Sequence, residues 1–181
     1  MPSKEQCPEI RAEIRKFCSK YGDEYWRKLD KEHTYPEQFV EELTAAGWLA
    51  ALIPEQYGGS GLSMKEASVI LEEINRSGGN SAACHAQMYI MGSLLRHGSE
   101  EQKRHYLPKI AKGEVRLQAF GVTEPDAGSD TTHIRTFAKK DGDFYIVNGG
   151  KIFTSRVQHS DMLLLLARTT PDRKSTRLNS S

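Results

Sequence analysis

From Glu5 to Lys112 the apolar residues recur with a helical period. Ile10, Ile14, Phe17 and Cys18 fall at i, i+4, i+7 and i+8, which predicts a first helix with one buried stripe. A second helix is expected to open near Tyr35, with Pro36 at its first position, Phe39, Val40, Leu43 and Ala46 on one face, and a stop at Gly47. Ile53-Pro54-Glu55-Gln56-Tyr57-Gly58-Gly59-Ser60-Gly61 is too rich in glycine and proline for a regular element and predicts a loop. Ser63 with Glu66 forms a capping-box pattern, and Ala67, Ile70, Leu71 and Ile74 follow it at helical spacing as far as Ser77-Gly78-Gly79. Asn80 can cap the next helix, whose Ala83, Gln87, Ile90, Met91, Leu94 and Leu95 run to Gly98. Ser99 to Gln102 is another capping box, and a last short helix is expected from Pro108 to Gly113.

Beyond Gly113 the period changes. Leu117, Ala119, Gly121 and Thr123 alternate with Gln118, Phe120 and Val122, which predicts a strand from Arg116 onward. Asp141-Gly142 between Ile134–Lys139 and Phe144–Val147, and Asn148-Gly149-Gly150 before Lys151–Thr154, read as two hairpin signals. Met162–Arg168 reads as one more strand. The expected fold class is therefore α+β: an antiparallel helical bundle over 1–113, then over 114–171 part of a small antiparallel β-barrel or sandwich domain. Residues 172–181 lose all periodicity and read as a tail foreign to the domain, the mark of a truncated longer chain.

Lys+Arg 25 against Asp+Glu 24 in 181 residues gives a net charge of +1, so no global field steers nucleic acid, and no basic cluster is interleaved with aromatics. Nucleic-acid partners are not expected. The longest apolar run, Met162–Ala167, is far short of the ~20 residues a membrane helix needs, so no span is expected. Met1–Ile10 carries Glu5 and Glu9 without an apolar or Arg-rich stretch, which leaves cytoplasm as the expected address. Cys7, Cys18 and Cys84 fit a reducing compartment, and no paired ligand spacing predicts a metal. His85, His97, His105 and His159 lack an acid or nucleophile at motif spacing and read as surface or satisfied histidines. Trp48 and Tyr57 read as shaping an interhelix turn, and Lys139-Lys140 as a solvated turn.

The most unusual stretch is Phe120-Gly121-Val122-Thr123-Glu124-Pro125-Asp126-Ala127-Gly128-Ser129-Asp130, where a strand runs into a loop of acids, hydroxyls and small residues. The N–H groups of such a turn can donate to ring carbonyls or a pyrophosphate, and its hydroxyls can donate or accept. By composition it equally fits an Asx-type connection with no ligand. The run Gly121–Asp130 resembles the signature of the acyl-CoA dehydrogenases, FAD-dependent oxidoreductases. Gly47-Trp48 with Ile53–Gly59, Gln102–Pro108 and Asn148–Ser155 resemble further segments of that family in the same order, so the resemblance covers about residues 5 to 171.

The resemblance implies that FAD and an acyl-CoA thioester meet between the helical and β domains. It implies that Phe120, Gly121, Val122, Thr123 and Ser129 line the flavin, with Thr123 bonding the pyrimidine end and Ser129 also reaching the acyl-CoA. Phe153, Thr154 and Ser155 form the second implied flavin segment, Phe153 against the ring and Ser155 near N5. Phe and Ser stand where members often have Trp and Thr, His133 stands at a usually small position, and Arg156 replaces a common Asn. The implied reaction is α,β-dehydrogenation to a trans-2-enoyl-CoA, with an electron-transfer flavoprotein as acceptor and a homo-oligomeric full-length enzyme. The family's base lies in a C-terminal helical domain, so no catalytic residue is assigned here and Glu124 is not made the base. The Met88, Ile90, Met91, Leu94 and Leu95 group reads as core that could border the acyl channel. Two other readings are a flavin oxidase or monooxygenase of the same fold, and a non-catalytic binding module.

Overall fold

The computed structural model describes residues 6–170. Among them the helices come first: α1 (Pro8–Cys18), α2 (Asp23–Glu32), α3 (Glu37–Ala45), α4 (Met64–Arg76), α5 (Ala82–His97) and α6 (Glu100–Lys112). The strands follow: β1 (Ala119–Gly121), β2 (Phe137–Asp141), β3 (Phe144–Asn148) and β4 (Leu163–Leu165). This is the expected α+β class, a helical region followed by a small, mostly antiparallel sheet region.

The stripe on α1 buries Ile14, Phe17 and Cys18 against α3 and α4, and each large side chain so removed from water contributes about 1.5–3 kcal/mol. An ion cluster fixes the same contact. Glu73 of α4, 1 % exposed, accepts from Arg11 Nη1 at 2.5 Å and from Arg15 Nε at 2.7 Å. The two guanidiniums, Arg15 foremost, hold its carboxyl below the usual range. Both capping boxes form: Ser63 accepts from the Glu66 N–H and Ser99 from the Gln102 N–H, with the side chains of Glu66 and Gln102 reaching back. Asn80 Oδ1 takes the Ala82 N–H at 2.9 Å at the start of α5.

Three expectations about the helices need correction. A helix, α2, occupies the stretch before Tyr35; it contains no fully buried residue, and its short apolar stripe of half-buried Tyr25, Trp26 and Leu29 stands among charged positions only. Pro36 sits just outside α3, at its cap. Pro108 does not start a helix: α6 runs through it, because the fully buried Leu107 and Ile110 on either side hold the last turn on the core although Pro108 offers the Arg104 carbonyl no donor.

The glycine-rich loop contains a single 3-10 turn at Glu55–Tyr57, and the Tyr57 hydroxyl donates to Glu100 Oε2 at 2.9 Å, an interhelix role as expected. A second core, around Ile53, Tyr57, Ile90, Met91, Leu107, Ile110 and Leu117, extends to Phe120, Met162 and Leu164 and so joins helices to strands. β2 and β3 form the expected hairpin, Phe137 opposite Asn148 and Asp141 opposite Phe144, with Gly142 at φ 58 in the turn. No second hairpin follows, since Lys151–Thr154 is not a strand. β1 is shorter than its alternation suggested and pairs parallel with β4. Beyond β4 the chain reaches β2, where Ala138 donates to the Arg168 carbonyl at 2.7 Å and Arg168 to the Thr136 carbonyl at 2.8 Å. The tail 172–181 lies outside the described residues. Among the described residues no helix is long and apolar enough to cross a membrane.

Candidate functional site

The signature stretch leaves β1 and turns sharply. Glu124 N–H donates to the Ala127 carbonyl at 2.9 Å and Ala127 N–H to the Glu124 carbonyl at 3.2 Å, a turn that Pro125 favours by its fixed φ. Ala127 is packed inward, whereas Gly128 and Ser129 are exposed and a Cβ on Gly128 would meet nothing within 4 Å. Open backbone is therefore available at Gly128 and not at Ala127.

The segment 149–155 lies directly against this loop. Ile152 N–H donates to the Thr123 carbonyl at 2.9 Å, and Lys151 Nζ donates to the Val122 carbonyl and to Glu124 Oε1, each at 2.8 Å. Glu124 also accepts the backbone N–H groups of Arg135 (2.6 Å) and Thr136 (2.9 Å). Its side chain is 6 % exposed and that of Lys151 9 %. The ammonium first, then the amides, hold the Glu124 carboxyl far below the usual carboxylate range. A carboxylate so stabilised is a poor proton acceptor, which agrees with withholding the role of base from it.

The two segments expected to line a flavin are thus brought together. Thr123 and Thr154 are half-buried, Ser129 and Ser155 exposed, and the Thr123, Ser129 and Ser155 hydroxyls have no protein partner among the described residues. Phe153 is 85 % exposed with its backbone at φ 58, and Arg156 also stands at φ 58. Left-handed backbone is unfavourable for a non-glycine residue and costs on the order of 1–2 kcal/mol, so an aromatic held there with its ring in solvent is a presented group rather than a packed one. Gly121 cannot carry a side chain freely, since a Cβ would sit 3.3 Å from Leu165 Cδ1, and its carbonyl accepts from Leu166 N–H at 2.9 Å.

Phe120 faces the helical side, its ring 6.0 Å from that of Tyr89. It borders a cavity of about 510 Å³ between α5, α6 and β4, lined also by Leu94, His97, Tyr106 and Leu163. A second hollow of about 690 Å³ between α4 and α5 is lined by Leu62, Leu71, Met88, Tyr89 and Leu95. In the α5 stripe Met88, Ile90 and Met91 are core, and Leu94 and Leu95 line these hollows. His133 Nδ1 lies 2.7 Å from Asp130 Oδ2, an exposed pair on a short turn. His85 tilts against Tyr89, His105 Nε2 lies 3.2 Å from Lys109 Nζ, and His159 stacks on Tyr35. Sequence reasoning passed over Lys151. A single lysine carries no pattern, and only its place directly before Ile152-Phe153 hinted at a role.

Two family descriptions match the chain: "Acyl-CoA dehydrogenase, N-terminal domain" over residues 4–114 and "Acyl-CoA dehydrogenase, middle domain" over residues 119–179. The chain belongs to the acyl-CoA dehydrogenase family. The acyl-CoA dehydrogenase FadE12 of Mycobacterium tuberculosis is 32% identical over 166 residues, covering 91% of this chain and 42% of the relative. The crystal structure of an acyl-CoA dehydrogenase from Geobacillus kaustophilus superposes with a TM-score of 0.84 at 33% identity, covering 96% of this chain and 46% of that one. The prolyl acyl carrier protein oxidase AnaB superposes with a TM-score of 0.82 at 30% identity, covering 93% and 45%. The chain therefore spans less than half the length of these relatives.

Proposed function

We propose that this chain is the N-terminal part of an FAD-dependent acyl-CoA dehydrogenase, with residues 1–113 as its helical domain and 114–171 as the opening of its β-domain. The observation that carries the reading is the junction of Val122–Glu124 with Lys151–Ile152, which sets Phe153 outward beside free hydroxyls. Donors, acceptors and an exposed aromatic face within two joined segments fit a flat heterocycle rimmed with polar atoms. Phe120, Gly121, Val122, Thr123, Ser129, Phe153, Thr154 and Ser155 would hold it, and Ser129 would also meet the thioester. When bound, FAD supplies the hydride acceptor for α,β-dehydrogenation of an acyl-CoA to the trans-2-enoyl-CoA. The chain's own contribution is orientation: a packed Phe120 and a presented Phe153 supply apolar surface, and the Thr123 and Ser155 hydroxyls fix the rim. The base that takes the α-proton is not assigned to a residue of this chain. An electron-transfer flavoprotein as acceptor, a homo-oligomeric full-length enzyme and a cytoplasmic address complete the proposal.

The test is the visible spectrum of the full-length enzyme during anaerobic addition of acyl-CoA thioesters. Bleaching of a flavin band at about 450 nm is the expected result, and a folded protein that takes up no FAD overturns the reading. The likeness to AnaB, an oxidase by name, favours one second reading, a flavin oxidase of the same fold. Peroxide release in air, in place of electron transfer to a flavoprotein, would decide for it.

A further inference from the structure

We propose that Lys151, paired with Glu124, is a positioning residue that locks segment 149–155 onto the signature loop and so holds Phe153 outward as a platform for a flat ligand. The identity of that ligand rests on the flavin reading above, whereas the lock rests on geometry alone.

A lysine in this kind of loop is ordinarily a solvated charge. This one is withdrawn from water, and an ammonium out of water needs close acceptors. It finds two, the Val122 carbonyl and Glu124 Oε1, which flank Thr123, the residue whose carbonyl receives the Ile152 N–H. Glu124 in turn takes the amides of Arg135 and Thr136, so a single ion pair gathers residues 122–124, 135–136 and 151–152. Gly149, at φ 148, seats its α-carbon against Thr136, which brings the start of the segment to the same place. Phe153 stands two residues past this anchor in left-handed backbone, a conformation that persists only where its surroundings over-determine it. Removing one member of a buried pair leaves the other charge uncompensated, so Lys151 and Glu124 are required together.

The experiment measures amide exchange at Ile152 and FAD affinity by flavin fluorescence, in the full-length enzyme and in its Lys151→Met, Lys151→Arg and Glu124→Gln variants. Expected are exchange at Ile152 faster by about tenfold or more in Lys151→Met and Glu124→Gln, and FAD binding weakened by about tenfold, with the amides of α1 and α4 unchanged. Lys151→Arg, which keeps the charge, should recover part of both. Should Lys151→Met fail to fold, Glu124→Gln decides, because its carboxamide oxygen still accepts from a backbone amide. Exchange at Ile152 within about twofold of wild type in the folded variants overturns the lock, and faster exchange with undiminished FAD affinity overturns its positioning role. A wild-type full-length enzyme that binds no FAD counts against the flavin reading alone, and the exchange comparison still decides the lock.

Discussion

The Tyr35 hydroxyl donates to Gln118 Oε1 at 2.6 Å, tying the loop before α3 to the residue before β1. The Tyr35 ring also stacks on His159 at 4.2 Å, and the Arg116 guanidinium lies 5.7 Å from its centroid, so one side chain joins the helices to the segments that lead into β1 and β4. Gln118 is fully buried, and its Nε2 has no partner among the described residues. Tyr35→Phe should keep the stack yet strip the carboxamide of its remaining bond, at a cost of about 1–3 kcal/mol. A urea unfolding curve reads the loss. Adding Gln118→Leu should restore much of it, because a buried pair replaced by apolar groups leaves nothing unsatisfied. Full additivity of the two losses would mean the contact is energetically irrelevant.

Gly149 and Gly150 are neighbours with opposite tolerances. A Cβ on Gly149 would lie 2.4 Å from Thr136 Oγ1 and 2.6 Å from Thr136 Cα, at φ 148, whereas one on Gly150 would meet nothing within 4 Å. Backbone on the opposing side cannot step aside as a flexible side chain can. Gly149→Ala should destabilise by about 2 kcal/mol or more, and Gly150→Ala by under about 0.5 kcal/mol, in thermal or urea unfolding. Equal effects would show that the approach to Thr136 is not tight.

These two relationships mark the limit of sequence reading. Elements announced by local chemistry were legible: Ser63 and Ser99 with their partners at the third helical position, and the Asp141-Gly142 turn between alternating runs. α2 was not, because its apolar residues Tyr25, Trp26 and Leu29 are only half-buried and every other position is charged. Pro108 misled for a complementary reason, since tertiary packing of Leu107 and Ile110 outweighs a local preference. The resemblance singled out two segments, and the structure brings them together. What joins them was invisible, because Lys151 meets Val122 and Glu124 across 29 and 27 positions and no spacing rule reaches that far.

Acid should loosen the site through Glu124. Its carboxyl is held below the ordinary value of 4.5 by Lys151 and the amides of Arg135 and Thr136, so the native state binds its proton less readily than the unfolded state does. Its stabilisation is therefore complete above about pH 5 and is lost as pH falls below that ordinary value toward the depressed one. The difference in unfolding free energy between wild type and Glu124→Gln should be largest near neutrality and shrink toward pH 3. A difference that stays constant over this range would show that Glu124 is not ionised in the native pair. Glu73, depressed by Arg15 and Arg11, adds to the overall acid loss in both proteins and cancels in the comparison.

Phe153 offers a separation of stability from function. Its ring is 85 % exposed, so truncating it removes little buried area, and its backbone at φ 58 is one that glycine adopts without strain. Phe153→Gly should thus leave unfolding free energy within about 0.5 kcal/mol of wild type, relief of strain offsetting the added chain entropy. FAD affinity should fall nonetheless, by about tenfold, because an aromatic face beside a flat ring contributes about 0.5–1.5 kcal/mol beyond its area. Phe153→Trp, which enlarges the face, should bind at least as tightly as wild type, and parallel unfolding and flavin titrations read both effects. A large stability loss in Phe153→Gly would mean that the ring packs in the folded protein, and unchanged FAD affinity would remove Phe153 from the site. The expected pattern, stability kept and affinity lost, is that of a residue retained in strained backbone for what it binds.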